Sequence, residues 1–490
     1  MIRTLLASCM LSSKHIFGVL VWCCLVPASC GDTPSEIDRL VAQGEYSRAE
    51  AILRSQIPDP DRPAVDGPSV QLEILRRIRR DFALTGVEVL DQLRKFLPGV
   101  TRGDVRKWTM TGHLMHRTID GETRYFRKAA TNLFLLDSDA KARRDAEMHR
   151  TGRREIETYP LVGLLREILE DSDGTPGSLA CRVRHRVTYS LCIKPECSRV
   201  LPGAVVRAWL PYPQEYRQQS DVVLLCSKPD SVVIAPSAVP HRTAYFESVV
   251  GEDSTPPTFL LQYEFTSSPY CPLLTSDRVE PYDSTSPLYL EYTAERPPHI
   301  FFSREVRQLA RQIVGDESNP LEKTRLIFRW VSENVPWVGE MEYSIIPSLS
   351  AKGLAARCGD CGVQGMAFIT LCRAVGVPAR WQSGFGTKPG EEGMHDWAEF
   401  YIEPWGWLPA DVSYGVQASD DPRIRDFFCG GIDPYRLIVN MDYARPLTPP
   451  KASFRSEPND FQRGEVEIDG HNLYFDDWTY TLSVQTERIR

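Results

Sequence analysis

The sequence has no excess of basic charge, no apolar run of bilayer-spanning length, and no repeated unit. With 57 Lys and Arg against 65 Asp and Glu, the formal net charge is −8. Nucleic acid is therefore not an expected partner, because binding a phosphate backbone calls for a basic face. The longest N-terminal apolar run, from Ile16 to Val26, is too short for a spanning helix and has the length of a signal-peptide core. No calcium loop of the EF-hand type is present, and no second cysteine pair accompanies Cys358 and Cys361 to complete a zinc site. No metal or other cofactor is expected.

At 490 residues the chain exceeds one ordinary core, so several domains are expected. Residues 1–30 read as a leader. Arg3 and Lys14 precede the apolar run, and Ala28 and Ser29 lead into Cys30 and Gly31. The pattern resembles a bacterial lipoprotein signal with Cys30 as the lipidated residue, although Pro27 stands where leucine is usual. Plain secretion or a retained N-terminal anchor are the alternatives. Either way the expectation is an exported protein of the periplasm or cell envelope, touching membrane only through a lipid at Cys30. Nine cysteines follow Cys30, an odd number, and Cys192 with Cys197 are placed to staple a hairpin in an oxidising compartment.

Residues 31–175 read as mainly helical. Ile37, Leu40 and Val41 form one stripe, Gly44 breaks it, and Ala49, Ile52 and Leu53 form the next, giving a helical hairpin. The hairpin is similar to half a tetratricopeptide unit, without a second copy. Asp120-Gly121 is a two-residue turn signal, so a β-hairpin interrupts the helices there. Helices before a hairpin also fit a winged helix, but DNA is a poor partner for an exported chain. Between 178 and 298 the pattern becomes short alternating runs, such as Val183 to Tyr189, Val205 to Leu210 and Phe259 to Phe265, which predict a β-sandwich. From 299 to 445 helices precede strands, as in an α+β domain. Residues 446–490 are a strand-rich tail expected to pack on that core. The fold class is thus multidomain α+β.

Chemistry concentrates in one stretch. Asp360 is a favoured N-cap, and Val363, Met366, Ala367, Leu371 and Ala374 make a helical face that stops at Gly376. Cys361 then falls in the first turn, where free N–H groups and the helix dipole favour a thiolate and would hold an oxyanion. The strand His395 to Ile402 points His395, Trp397, Glu399 and Tyr401 one way and Asp396, Ala398, Phe400 and Ile402 the other. Asp411 ends the next strand, Gly406 to Asp411, where it would orient the imidazole. A thiol, an imidazole and a carboxylate in this order suit acyl transfer through a thioester.

These blocks resemble the transglutaminase-like superfamily, which has a papain-like cysteine protease fold. Cys361 with Arg373, Gly376, Pro378, Ala379 and Arg380 looks like its cysteine motif. His395-Asp396-Trp397-Ala398-Glu399-Phe400-Tyr401 looks like its histidine strand, and Gly406-Trp407-Leu408-Pro409-Ala410-Asp411 like its aspartate strand. The resemblance implies Cys361 as nucleophile, His395 as base and acid, and Asp411 as orienter. It also implies an aromatic or amide donor at the oxyanion site, with Trp337 and Tyr343 as candidates. The implied substrate is a peptide or protein, and hydrolysis is preferred over cross-linking. Competing readings are a Cys358–Cys361 redox or metal pair, and a non-catalytic surface or periplasmic module that binds a partner through its helices. Trp397, Trp405 and Trp407 are expected to pack, and Glu399 to serve as a structural hydrogen-bond partner.

Overall fold

A computed structural model describes residues 35–59, 63–65, 67–152, 160–171 and 181–489. The expected leader and Cys30 lie outside these residues.

The first region holds helices α1 (Glu36–Gln43), α2 (Tyr46–Ser55), α3 (Gly67–Asp81), α4 (Gly86–Arg94) and α5 (Arg102–Met110), then the hairpin β1 (His116–Ile119) and β2 (Glu122–Tyr125), and then α6 (Ala129–Leu136), α7 (Ser138–Arg150) and α8 (Leu161–Asp171). Capping boxes at Ser35, Thr85 and Thr101 start three of these helices by satisfying N–H groups that have no helical partner. Gly44 ends α1 at φ +80°, and a Cβ there would stand 2.8 Å from the carbonyl oxygen of Thr118. The α1–α2 turn therefore packs backbone to backbone on the hairpin, which only glycine permits.

The region is docked on the rest of the molecule. Arg77 of α3 is fully buried and donates to the carbonyls of Arg455 and Ser456 at 3.0 and 3.1 Å. Asn132 of α6 pairs with the backbone of Gly339 in both directions, at 2.7 and 2.9 Å. Arg127 bridges Asp81 of its own region to Glu342 of the core.

The sandwich comprises β3 (Val183–Ile193), β4 (Val205–Pro211), β5 (Gln219–Lys228), β6 (Val233–Ile234), β7 (Thr243–Val249) and β8 (Thr258–Ser267). Along β3, Val183, His185, Val187, Tyr189, Leu191 and Ile193 are buried while the residues between them are not. Each such apolar side chain contributes about 1.5–3 kcal/mol of burial.

The core follows. Helices α9 (Pro287–Thr293), α10 (Arg304–Val314), α11 (Pro320–Asn334), α12 (Leu349–Ala356) and α13 (Cys361–Ala374) precede strands β9 (Ala379–Gly386), β10 (Gly393–Ile402) and β11 (Gly406–Ala410). A short α14 (Pro422–Arg425) and β12 (Arg436–Asn440) complete it. The antiparallel sheet has the order β11-β10-β9-β12. Every residue of α13 from Gly362 to Arg373 is buried, including Gln364 and Arg373, which donate to backbone carbonyls.

Three expectations change. The first run of sandwich strands ends at Ser267, and Pro287–Thr293 is a helix set against the core. The tail strands join the sandwich instead of packing on the core: β13 (Glu465–Ile468) and β14 (His471–Leu473) extend the sheet of β4, and β15 (Trp478–Arg488) pairs along the whole of β3. Alternation marks a strand but not its partner, so its sheet was open in the sequence. Cys192 and Cys197, expected as a staple, are not joined by a disulfide.

Candidate active site

The site begins where α13 meets β10. Asp360 caps the helix, accepting from the Val363 N–H at 3.2 Å, and this sets Cys361 in the first turn. Gly362 is required beside it, since a Cβ there would meet the Tyr343 hydroxyl at 2.1 Å.

The strand register places the other two residues. Ala398 of β10 faces Ala410 of β11, so Asp411, one residue on, returns toward His395. His395 Nε2 lies 2.7 Å from Asp411 Oδ2, and Arg436 Nη2 donates to the same oxygen at 2.8 Å. Asp411 Oδ1 accepts the Ser413 and Tyr414 N–H groups at 3.2 and 3.1 Å. Burial alone would raise this carboxyl, but the His395 and Arg436 charges outweigh it and hold Asp411 well below the usual carboxylate range. Tyr414 packs edge-on to the His395 ring, and Ser413 donates to Gln364 of α13 at 2.6 Å. The Asp411 loop is thereby pinned to α13.

Cys361 faces a different setting. Its Sγ donates to Asp396 Oδ2 at 3.4 Å, and no hydrogen bond joins it to His395 among the described residues. His395 Nδ1 is thus left without a hydrogen-bond partner among them. The expected lowering of the thiol pKa by the helix start is overridden. Burial, then the Asp396 and Asp360 carboxyls, push the Cys361 thiol well up. Burial also raises Asp360 and Asp396.

Of the two oxyanion candidates, Tyr343 is committed elsewhere. Its hydroxyl reaches Asp360 Oδ1 and Asp396 Oδ2, both at 2.9 Å, so its single proton is taken by carboxyls. Trp337 is 50% exposed and free to meet a substrate. Both line a cleft of about 170 Å³, together with Cys361, Met394 and Asp396. Lys128 of the helical region and Glu457 and Phe475 of the tail close its sides. Trp397, Trp405 and Trp407 do not line it; Trp397 is buried, with its indole N–H on Gln382. Glu399 is an ion-pair partner of Arg380 and Arg217, as expected. Cys358 is buried and unpaired, and its carbonyl accepts from Lys352. No group of three or more His, Cys, Asp or Glu capable of holding a metal occurs among the described residues.

Sequence reasoning missed Asp396, Arg436, Asp460 and Gln462. Only Asp396 carried a signal: alternation groups this acid with Ala398, Phe400 and Ile402 on one face of the strand.

Residues 307–412 match the sequence profile of the transglutaminase-like superfamily. An uncharacterized protein of Haemophilus influenzae is 29% identical over 140 residues, which are 23% of this chain and 37% of that protein. Uncharacterized protein YebA of Bacillus subtilis is 26% identical over 129 residues, or 22% of this chain and 17% of YebA. The chain therefore spans well under two thirds of either relative. Among solved structures, a Cytophaga hutchinsonii protein provisionally named a cysteine protease covers 63% of this chain and 91% of its own, with 14% identity and a TM-score of 0.42. The periplasmic domain of TgpA from Pseudomonas aeruginosa covers 49% of this chain and 92% of its own, with 15% identity and a TM-score of 0.25.

Proposed function

We propose, for a chain whose residues 307–412 belong to the transglutaminase-like superfamily, that Cys361 is the nucleophile of an acyl-transfer reaction on a peptide or protein. The observation that carries this reading is the His395–Asp411 hydrogen bond. It fixes the imidazole through Nε2 and leaves Nδ1 for the thiol, with Cys361 at the head of a buried helix on an open cleft. His395 Nδ1 takes the thiol proton, and the thiolate adds to an amide carbonyl. First-turn N–H groups of α13, with the Trp337 indole, meet the oxyanion. The imidazolium then gives its proton to the departing amine, leaving a thioester. Water deprotonated by His395 releases the acid and restores the thiol. Hydrolysis is the favoured outcome, and an amine in place of water would make a cross-link.

The test uses the purified protein and a peptide library. Cys361→Ala and His395→Ala should abolish turnover, and a primary amine offered against water should separate cross-linking from hydrolysis. Turnover unchanged in Cys361→Ala overturns the reading. So does iodoacetamide labelling of Cys361 no faster than an ordinary thiol, with no effect of His395→Ala. One observation favours a non-catalytic module instead, namely that the Cys361 sulfur bonds Asp396 and not His395. The same labelling experiment decides between them.

The leader pattern supports export, with membrane contact through a lipid at Cys30. Fatty-acid incorporation in a bacterial host, lost on Cys30→Ser, is the expected result.

A further inference from the structure

Asp396 occupies a place that packing alone would fill with hydrocarbon. Its strand neighbours on the same face are Ala398, Phe400 and Ile402, all buried, and Phe400 packs on Phe368 of α13. Asp396 itself is 3% exposed. Its Oδ2 lies 3.4 Å from Cys361 Sγ and 2.9 Å from the Tyr343 hydroxyl, and its Oδ1 accepts from Gln462 Nε2 at 2.8 Å.

Its carboxyl also meets that of Asp460 in the tail loop. Asp460 is buried too, and its Oδ1 is filled by the Ser383 hydroxyl, the Asn440 amide and the Phe461 N–H. Asp460 Oδ2 takes no N–H or hydroxyl donor among the described residues. Two buried carboxyls in hydrogen-bonding contact do not both ionise, so one proton lies between them. No ion pair to Asp396 occurs among the described residues. The titratable and charged groups facing the pair are Cys361 and Asp360 from the head of α13, Tyr343 from the turn before α12, and Glu457 and Arg455 from the tail, with Arg455 favouring the ionised form of Asp460. Lys128 and Lys352 act on Asp360.

We propose, resting on the acyl-transfer reading above, that Asp396 works as a neutral acid of this site. It holds one proton in common with Asp460 and turns that O–H toward the Cys361 sulfur as the thiolate forms. The thiol proton passes to His395, while the Asp396 proton stays on its oxygen, so the carboxyl pair neither gains nor loses a proton in the step. When the pair loses its proton to solvent, the same contact sets a carboxylate against the sulfur and the thiolate is disfavoured. Burial and the charges of Asp460 and Asp360 keep Asp396 protonated well above the usual carboxylate range. Cys361 should accordingly become less reactive as pH rises through the titration of the pair, the reverse of an ordinary thiol.

The test is the rate of iodoacetamide alkylation at Cys361 in the whole protein, read by mass spectrometry of its peptide, from about pH 5 to about pH 10. The eight other described cysteines serve as internal references. In the wild type the rate should fall by at least about tenfold on the alkaline side, one pK unit's worth. Asp396→Asn, which keeps a neutral N–H donor, should abolish that fall. Asp460→Asn removes a like charge, so the fall should move to lower pH. A wild-type rate that only rises with pH overturns the proposal, and needs no variant to fold. An Asp396→Asn profile that tracks the wild type also overturns it. If Cys361 instead labels no faster than an ordinary thiol at every pH, and His395→Ala changes nothing, the nucleophile reading itself fails.

Discussion

Asp411 and Asp396 are both buried aspartates at the same site, and their surroundings push their pKa values in opposite directions. Asp411 shares one oxygen between His395 and Arg436 and takes two backbone N–H groups on the other. Asp396 has a tyrosine hydroxyl, a thiol, an amide and another acid, with no ion-pair partner among the described residues. Burial is common to both, so the guanidinium and imidazole make the difference. Depth alone does not set the charge of a carboxyl; its partners do.

That contrast is open to attack from either side. The largest effect is expected for Arg436→Met. Arg436 is 2% exposed and pairs with both Asp411 and Asp433, so its loss takes the guanidinium from two buried carboxylates and leaves Asp411 to His395 and its backbone donors. Breaking such a buried pair costs about 3–5 kcal/mol, to be read from denaturant unfolding. Next come the matched variants Asp411→Asn and Asp396→Asn, whose stability should depend on pH with opposite signs. The folded-state pKa of Asp411 is depressed, so its contribution is present above the unfolded value and lost as pH falls through the folded one. Asp411→Asn should remove that acid-side loss. The folded-state pKa of Asp396 is raised, so its contribution is full below the unfolded value and lost as pH rises through the folded one. Asp396→Asn should flatten the neutral-to-alkaline decline instead. Thermal unfolding across pH checks both, and a common sign would end the comparison. The smallest effect is expected for Tyr343→Phe, which removes one shared hydroxyl at a cost of about 1 kcal/mol. Its sharper readout is a further rise in the pKa of Asp396, because the hydroxyl bond lowers it.

Much of the Asp411 side was legible in the sequence. The cap at Asp360, the alternation of β10 and the end of β11 are local patterns, and each placed its residue correctly in the fold. Arg436 was not legible, because an arginine opening a strand looks like any solvated charge. The Asp396 side was legible in its facing alone. Its partners Asp460 and Gln462 come from a loop whose course depends on β13 joining β4, a pairing that no local pattern encodes. The docking of the helical region was hidden for the same reason. Asn132 and Gly339 are 207 positions apart, and an asparagine inside a helix announces no partner. The fold classes of the regions followed from periodicity, whereas the seams between them did not.

The tail loop also sets an order of events. A chain grown only as far as β12 already carries Cys361, His395, Asp411 and Arg436, with β9 to β12 able to pair among themselves. Asp460 and Gln462 arrive afterwards, on a segment whose far end must find β4 and then β3, where Ser190 and Thr481 meet across 291 positions. Such distant pairings are slow to form because chain closure precedes any gain from contact. The histidine side of the site can therefore assemble early, while the surroundings of the sulfur wait for the final strands to lock.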